Sequence, residues 1–520
     1  MNREPGHPSR GSLDKPYWFY RAQRDFPDAM YFNGILSAFV ASVEFDAPVD
    51  KGDLTGALSQ WSRCQRRSGS FDEWYPFEGS YVATGFSLAC VVLTLILAEN
   101  DPAWRHWVSD EKTRVYSTVK RAVAALAKRS DVYCENQRAI AAAAVRAAAV
   151  LYGRQDWEGI AVGMQAELLA HQTPEGWFPE YGGFDVGYSS VLLDYLAISD
   201  WLQRDDEIRR AAEKLMRLLV NHVRPDGATG GPLYSRGTEY LLPFGLLYFA
   251  RLGSASASTI LERHTAGNHR VSLAAMDDRY FVEYGYSWAL AVALGQGRIH
   301  VDPGQAWIDV TSEVISEPYV RVLDHGRWRT WLSPSHGAGF VSQHEEGFRV
   351  RDYGALVLLS NRVLTLQTPA VLLAEDRDGL ESQLTAVSYR GAASPLRWGM
   401  VPFRVINYLI GMLRLPPAWL ARAAKSAFVL GRGGRTDMHV TRQISWGDDA
   451  VAVVYRFPRE AAAATIAIGG THRLRHVPSA HFWANDRLPE GVGLYRIPKD
   501  GVASYTLSAA GVATDLEPVC

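Results

Sequence analysis

A pair of amides, a tyrosine and an arginine each stand where a loop runs into an apolar helical stretch. Asn136 and Gln137 lie in Tyr133-Cys-Glu-Asn-Gln-Arg-Ala139. Their amides both donate and accept hydrogen bonds, and from a helix start they can point inward; alternatively, Asn136 caps the helix that starts there. Tyr188 ends the loop Tyr181-Gly-Gly-Phe-Asp-Val-Gly-Tyr188. A tyrosine so placed transfers a proton where neighbouring cations lower its pKa, or else is a core aromatic with a satisfied hydroxyl. Arg236, in Ser235-Arg-Gly-Thr-Glu-Tyr240, offers a planar fork for a carboxylate. Glu239 orients that fork or binds hydroxyls, and a buried Arg–Glu pair is the alternative. Trp74, Trp177, Phe178 and Tyr234 offer flat faces for stacking, and Glu180, Asp185 and Tyr240 stand in the same loops as polar contacts.

Apart from Asn136 and Gln137, these residues belong to three loops of similar composition: Phe71–Gly79, Pro174–Tyr188 and Pro225–Tyr240. Each mixes carboxylates, aromatics and Gly or Pro, and each runs into an apolar segment. Apolar residues recur at three- and four-residue spacing through the first ~295 positions, as in an amphipathic helix. The clearest helices are Arg114–Leu126, Ile140–Tyr152, Ile160–His171, Val191–Leu202 and Ile208–His222. Inner-helix starts are expected near Ser80, Glu135, Gly187, Thr238 and Tyr284, at steps of about fifty residues, which is a helix-hairpin period. The more apolar helix of each pair faces inward, and a charged one such as Asp205–His222 lies outside. After residue 297 short strand-like runs take over: Tyr353–Leu358, Val363–Gln367, Met438–Ile444, Ala450–Phe457 and Ala464–Ile468. The expected fold is therefore α+β and multidomain. An N-terminal (α/α) toroid of helix hairpins spans 1–297, and an antiparallel β-sandwich spans 298–520 with a basic apolar insertion at about 390–435. An open solenoid is the competing arrangement for the helices.

Composition is that of a globular protein, with 47% hydrophobic and 21% charged residues. A net charge of −2 argues against a nucleic-acid partner. Cys64, Cys90, Cys134 and Cys520 are scattered, with no CxxC, and are expected as free thiols. The N-terminus has no apolar signal region, so a cytoplasmic location is expected. Gly79–Ala98 is uncharged and nearly long enough to span a bilayer, but polar dilution of its first half favours a buried core helix. Between Ser382 and Thr436 there is no Asp or Glu, while eight basic residues fall there. This insertion, through 397–431, is a candidate for peripheral contact with an anionic membrane, for binding a polyanion, or for packing against the helical domain.

Asn136 followed by Tyr188, in equivalent inner-helix contexts, resembles the heparinase II/III-like polysaccharide lyases, including alginate lyases of toroid-plus-sandwich type. The resemblance covers most of the chain from Phe71 onward. It implies a lyase acting on a uronic-acid-containing polysaccharide by β-elimination: Asn136 neutralises the uronate carboxylate and Tyr188 moves the proton. Many relatives carry His where this chain has Gln137, and Gln cannot act as a base. A histidine from the start of the sandwich, His336 or His344, is then the further candidate. Glycoside hydrolysis and uronate C5-epimerisation on the same toroid stay open, as does a non-catalytic polysaccharide-binding role in envelope or exopolysaccharide assembly. No cofactor is expected, no residue set has metal-ligand spacing, and a structural metal in the sandwich stays open.

Overall fold

The computed structural model describes every residue except 5–6, 20–25, 129–133, 225–226, 230, 239, 267–277, 301–318, 360–361, 377, 389–404, 406–407, 410–434, 463, 469–492 and 520. The chain divides into two compact units. The first comprises Met1–Thr229, Tyr240–Val314 and Trp398–Ala424; the second comprises Gly230–Glu239, Ile315–Arg397 and Lys425–Cys520.

The first unit is helical. After a short α1 (Lys15–Trp18) come α2 (Gly34–Phe45), α3 (Lys51–Cys64), α4 (Tyr81–Glu99), α5 (Arg105–Ala127), α6 (Glu135–Tyr152) and α7 (Gln155–Ala170). They are followed by α8 (Val186–Leu202), α9 (Asp206–His222), α10 (Pro243–Arg251), α11 (Ala255–Ala266) and α12 (Asp278–Gly295). The even-numbered helices pack in succession, α2 on α4, α4 on α6, α6 on α8, α8 on α10 and α10 on α12, and α12 returns to α2. This closes the ring and excludes the open solenoid. The odd-numbered helices α3 to α11 lie outside it. Because the helices form hairpins, every second one runs the same way, and the ring helices present their amino ends to one rim.

Burial follows the expected pattern. α4 is the one helix among those described that is long and apolar enough to cross a membrane, yet 89% of its apolar window is buried. Each fully buried Leu or Val there contributes about 1.5–3 kcal/mol. Outer helix α9 buries one apolar stripe, Ile208, Ala211, Ala212, Leu215, Met216 and Leu219, together with Arg209, Glu213 and His222, and its first turn is capped by Asp205. Small residues set the spacing of the ring. A Cβ added at Gly245 of α10 would sit 2.6 Å from the Leu193 carbonyl of α8. One at Gly85 of α4 would sit 2.9 Å from Ile140 of α6.

Two ring helices start away from the expected positions. α10 begins at Pro243 rather than near Thr238, and α12 begins at Asp278 rather than near Tyr284. Pro243 fixes the first: proline suits the first helical turn and supplies no amide to a preceding one. The amino end of α10 lacks a side-chain cap of its own. Its neighbours supply it: Ser190 Oγ accepts from Leu242 N (2.9 Å), Ser287 Oγ from Phe244 N (3.1 Å) and Asp194 Oδ1 from Gly245 N (2.7 Å).

The second unit is antiparallel β. β1 (Arg321–His325), β2 (Trp328–Ser333), β3 (Gly339–His344) and β4 (Arg349–Asp352) form a four-stranded sheet in sequence order. The larger sheet contains β5 (Leu356–Leu359), β6 (Arg362–Thr365), β7 (Val371–Glu375), β8 (Gly379–Ser388) and β9 (Arg435–Trp446). It continues with β10 (Ala450–Arg456), β11 (Thr465–Ile468), β12 (Gly493–Arg496), β13 (Val502–Ser508) and β14 (Gly511–Ala513). Its order is β12-β11-β5-β6-β8-β9-β10-β13-β14, with β7 also paired to β8. One core joins the two sheets: Trp328, Leu332, Phe340 and Val350 pack with Leu384, Val440, Ile444, Val453 and Tyr505. This is the sandwich. All five strand-like runs named from the sequence fall on strands, β5, β6, β9, β10 and β11.

Most of the basic insertion lies outside the described residues. Val405, Tyr408 and Leu409 are described, helical and exposed, and the Tyr408 ring meets Phe77 edge-on at 5.9 Å.

Candidate active site on the ring rim

The loops before α6 and α8 lie side by side. Cys134 and Glu180 form an isolated β-bridge, and Glu135 N donates to Pro179 O at 3.1 Å. Asn136 is in the first turn of α6, but it is not the cap. The cap position belongs to Cys134, whose side chain does not serve it. Instead the orphan amide of Asn136 donates to Glu180 Oε1 at 2.8 Å. Glu180 is wholly buried, and burial pushes its carboxyl well above the usual carboxylate range, with Asp185 and Glu135 adding to the effect. The Asn136 side chain is therefore released from capping, and its Oδ1 lies 3.0 Å from the Cys134 thiol. Gln137 Nε2 donates to the Tyr181 hydroxyl at 3.3 Å.

Asp185 caps α8 by accepting from Tyr188 N at 3.1 Å. Tyr188 is half-buried. It neighbours Tyr240 and Tyr284, close enough that its ionised oxygen would raise the pKa of both. Those two are wholly enclosed, share a hydroxyl–hydroxyl hydrogen bond of 2.9 Å, and are held well above the ordinary tyrosine pKa, chiefly by burial. Both stay protonated beside Tyr188.

A charged hub that the sequence reading missed completes the rim. Arg279, in the first turn of α12, donates to Asp28 (3.0 Å), Glu73 (2.7 Å) and Glu283 (2.6 Å). Its guanidinium lies 4.4 Å from the centre of the Trp74 ring, and Trp74 is 49% exposed. Glu78 accepts from Glu73 N (3.1 Å) and Trp74 N (2.8 Å), and burial beside Glu73 pushes it up to about 8. Asp72 pairs with Arg66 and accepts from Phe77 N and Gly79 N. The first loop is thus a charged cluster. The spacing of Arg279 with Glu283, and of Tyr280 with Tyr284, could have signalled it, since both pairs are one helical turn apart. Placing the start of α12 near Tyr284 hid them.

Two of these loops are strained. Among the described residues, the non-glycine positions with left-handed backbone are Asp46, Phe77 (φ 63°), Tyr181 (φ 56°) and Ala338 (φ 51°). Phe77 lies in the first loop and Tyr181 in the second, at a cost of about 1–2 kcal/mol each. Such strain persists where surrounding contacts over-determine the backbone, often at functional sites. Trp177 is half-buried and donates to Glu175 at 2.6 Å. Phe178 is buried.

The remaining candidates lie in the second unit. Arg236 and Tyr234 are buried, within a tight loop where Gly231 N donates to Thr238 O at 3.0 Å. Glu239 and Tyr133 lie outside the described residues. His344 is buried between Trp328 (4.8 Å) and Phe348 (4.5 Å). Both its ring nitrogens are engaged, Nε2 with Asp448 O at 3.0 Å and Nδ1 with Glu346 N at 3.3 Å. His336 is half-buried on a turn beside strained Ala338, its Nδ1 3.2 Å from Ser333 Oγ. Buried Arg442 holds that turn through Gly337 O (2.6 Å) and Ala338 O (2.9 Å), and pairs with Asp352 at 3.0 Å. Among the described residues no group of three or more His, Cys, Asp or Glu is arranged to hold a metal ion.

Fold and rim together define a closed helical ring joined to an antiparallel sandwich, with polar and aromatic side chains gathered at the amino ends of the ring helices. No family model and no curated protein matches the chain. Among solved structures it is similar to heparinase III, at 9% identity over 83% of this chain and 62% of that one, with a TM-score of 0.46. It is also similar to a Paenibacillus xanthan lyase, at 11% identity over 99% and 50%, TM-score 0.44, and to heparan sulfate lyase HepC from Pedobacter heparinus, at 11% over 91% and 67%, TM-score 0.35. The chain spans 62% of the length of heparinase III and half that of the xanthan lyase. Likeness this slight says nothing of activity or substrate.

Proposed function

We propose that the ring rim carries out β-elimination on a uronic-acid-containing polysaccharide. The observation that carries this reading is the pairing of Asn136 and Tyr188 at the amino ends of adjacent ring helices, tied through one loop by Glu180 and Asp185. Removing the C5 proton of a uronate builds negative charge on its carboxylate, and an amide donor there stabilises that charge. Asn136 supplies the amide. Tyr188, as its phenolate, takes the C5 proton and gives that proton to the departing O4 oxygen, with Tyr240 and Tyr284 as protonated neighbours. Trp74 offers a flat face for a sugar ring further along the rim. The resemblance of the sequence to heparinase II/III-like lyases points the same way.

Glycoside hydrolysis has one observation in its favour: Glu78, held up to about 8 beside Glu73, is a protonated acid at neutral pH. Among the described carboxylates of the three loops its partner is wanting, and Glu239 lies outside the described residues. Inverting hydrolysis needs a second carboxylate roughly 6.5–9.5 Å away and free to activate water. Glu73 is committed to Arg279 and Ser80, Asp72 to Arg66, Glu180 to Asn136 and Asp185 to Tyr188.

The test is incubation with uronate polymers, following the ultraviolet absorbance of unsaturated uronate. Tyr188→Phe is expected to lower that rate at least ~100-fold, within the usual range for losing a positioned proton carrier, while melting temperature is kept. Sugar release by hydrolysis without that absorbance, or an active Tyr188→Phe, overturns the proposal.

A further inference from the structure

The thiol of Cys134 lies between two acceptors. Its Sγ is 2.7 Å from Glu180 Oε2 and 3.0 Å from Asn136 Oδ1, and both neighbours are buried. A thiol has a single proton and satisfies only one of them. The contact that remains needs a proton from elsewhere, and the carboxyl is the group able to bring it.

We infer that Cys134 and Glu180 are positioning residues that fix the rotamer and the amide orientation of Asn136 through a directed chain of hydrogen bonds. Glu180 Oε2–H donates to Cys134 Sγ, Cys134 Sγ–H donates to Asn136 Oδ1, and Asn136 N–H donates back to Glu180 Oε1. The loop closes on itself, and each proton stays on its own atom. Its consequence is chemical. With Oδ1 committed to the thiol, the amide must present Nδ2, its donor, on the other edge. An unconstrained Asn turns over freely and presents oxygen as readily as nitrogen, and oxygen would repel a carboxylate. Burial, which holds Glu180 well above the usual carboxylate range, agrees with the protonated state the chain requires. The Cys134 thiol and the Asn136 amide act against burial, and Asp185 and Glu135, which face the same carboxyl, act with it.

The inference rests on the reading of Asn136 as the carboxylate-binding amide, but its chemistry can be examined separately. Infrared spectroscopy of the whole protein at neutral pH reads both protons. A protonated-carboxyl band absent from Glu180→Gln, and an S–H band lowered by hydrogen bonding and absent from Cys134→Ala, are expected. If Glu180→Gln removes a carboxylate band instead, or Cys134→Ala removes only an unshifted S–H band, the chain does not exist. The second arm uses the lyase assay. Cys134→Ala is expected to lower kcat/KM about five- to tenfold, the effect of one lost hydrogen bond, and Cys134→Ser, which keeps a donor, to restore most of it at equal melting temperature. Equal loss in both variants overturns the positioning role. Absence of lyase activity in the parent protein would sink the functional reading and leave the infrared result to decide the chain.

Discussion

Asp194 gives the sharpest test of how the ring is held together. It is wholly buried in α8 and accepts the Gly245 amide at the amino end of α10 at 2.7 Å. Burial pushes its carboxyl up to about 7 from the ordinary 3.8, against the lowering effect of that amide and of the Ser287 and Tyr286 hydroxyls. An acid whose pKa is raised by folding holds its proton better in the folded state. Its stabilisation is fully present below 3.8 and is lost as pH rises through 7. Across that interval the loss is roughly 4 kcal/mol at 1.36 kcal/mol per pH unit, an upper limit since the surroundings relax. Asp194→Asn keeps the acceptor for Gly245 N and cannot ionise. It should exceed the parent protein by at most about 1.6 kcal/mol at pH 5, where about 1.2 pH units of the interval have passed, and by up to about 4 kcal/mol at pH 8. The assay is calorimetric unfolding of both proteins at the two pH values, with hydrogen exchange at α10 to localise the change. A difference between the proteins that does not change with pH, or one that grows in favour of the parent at pH 8, refutes the reasoning: Asp194 would then be ionised in the fold.

Gly245→Ala should destabilise the ring by about 2–4 kcal/mol, read by urea unfolding, because the new methyl meets the Leu193 backbone and neither helix can retreat without opening the ring. Arg279→Met should cost about 3–5 kcal/mol, read as melting temperature, since it strands Asp28, Glu73 and Glu283 in a buried place. Asp46→Gly should raise stability by about 0.5 kcal/mol: Asp46 is exposed, adopts φ 51° and ends α2, where glycine fits and a negative charge opposes the helix dipole. No gain in melting temperature would show that the left-handed turn is not strained.

Much of the fold was legible in the sequence because burial periodicity is local. The apolar run of α4, the alanine-rich α6 and the single stripe of α9 each state which face is buried. Together with a period of about fifty residues they predict a ring. The strand runs 450–457 and 438–444 alternate in the same local way. What failed was also physical. The start of α10 depends on acceptors supplied by other helices, Ser190, Asp194 and Ser287, and the first turn of α12 carries Arg279, whose partners Asp28 and Glu73 come from distant loops. No local pattern carries that information. The sixth ring helix, α2, went unread because it pairs with α12 from the far end of the unit.

The candidate site divides in the same way. Asn136 and Tyr188 could be named because each opens a periodic segment after a Gly-rich or acidic loop. Whether Asn136 caps its helix could not be read from its type, since Asn does both. The answer lay 44 residues away in Glu180, which takes over the amide. Residue type and period, properties of neighbours along the chain, determined the helical ring, the sandwich and the two residues on which the proposal rests. The tertiary structure alone decided which carboxylates are spent on amides and arginines, which keep a proton, and which edge of an amide is offered, because burial and charge are set by neighbours in space.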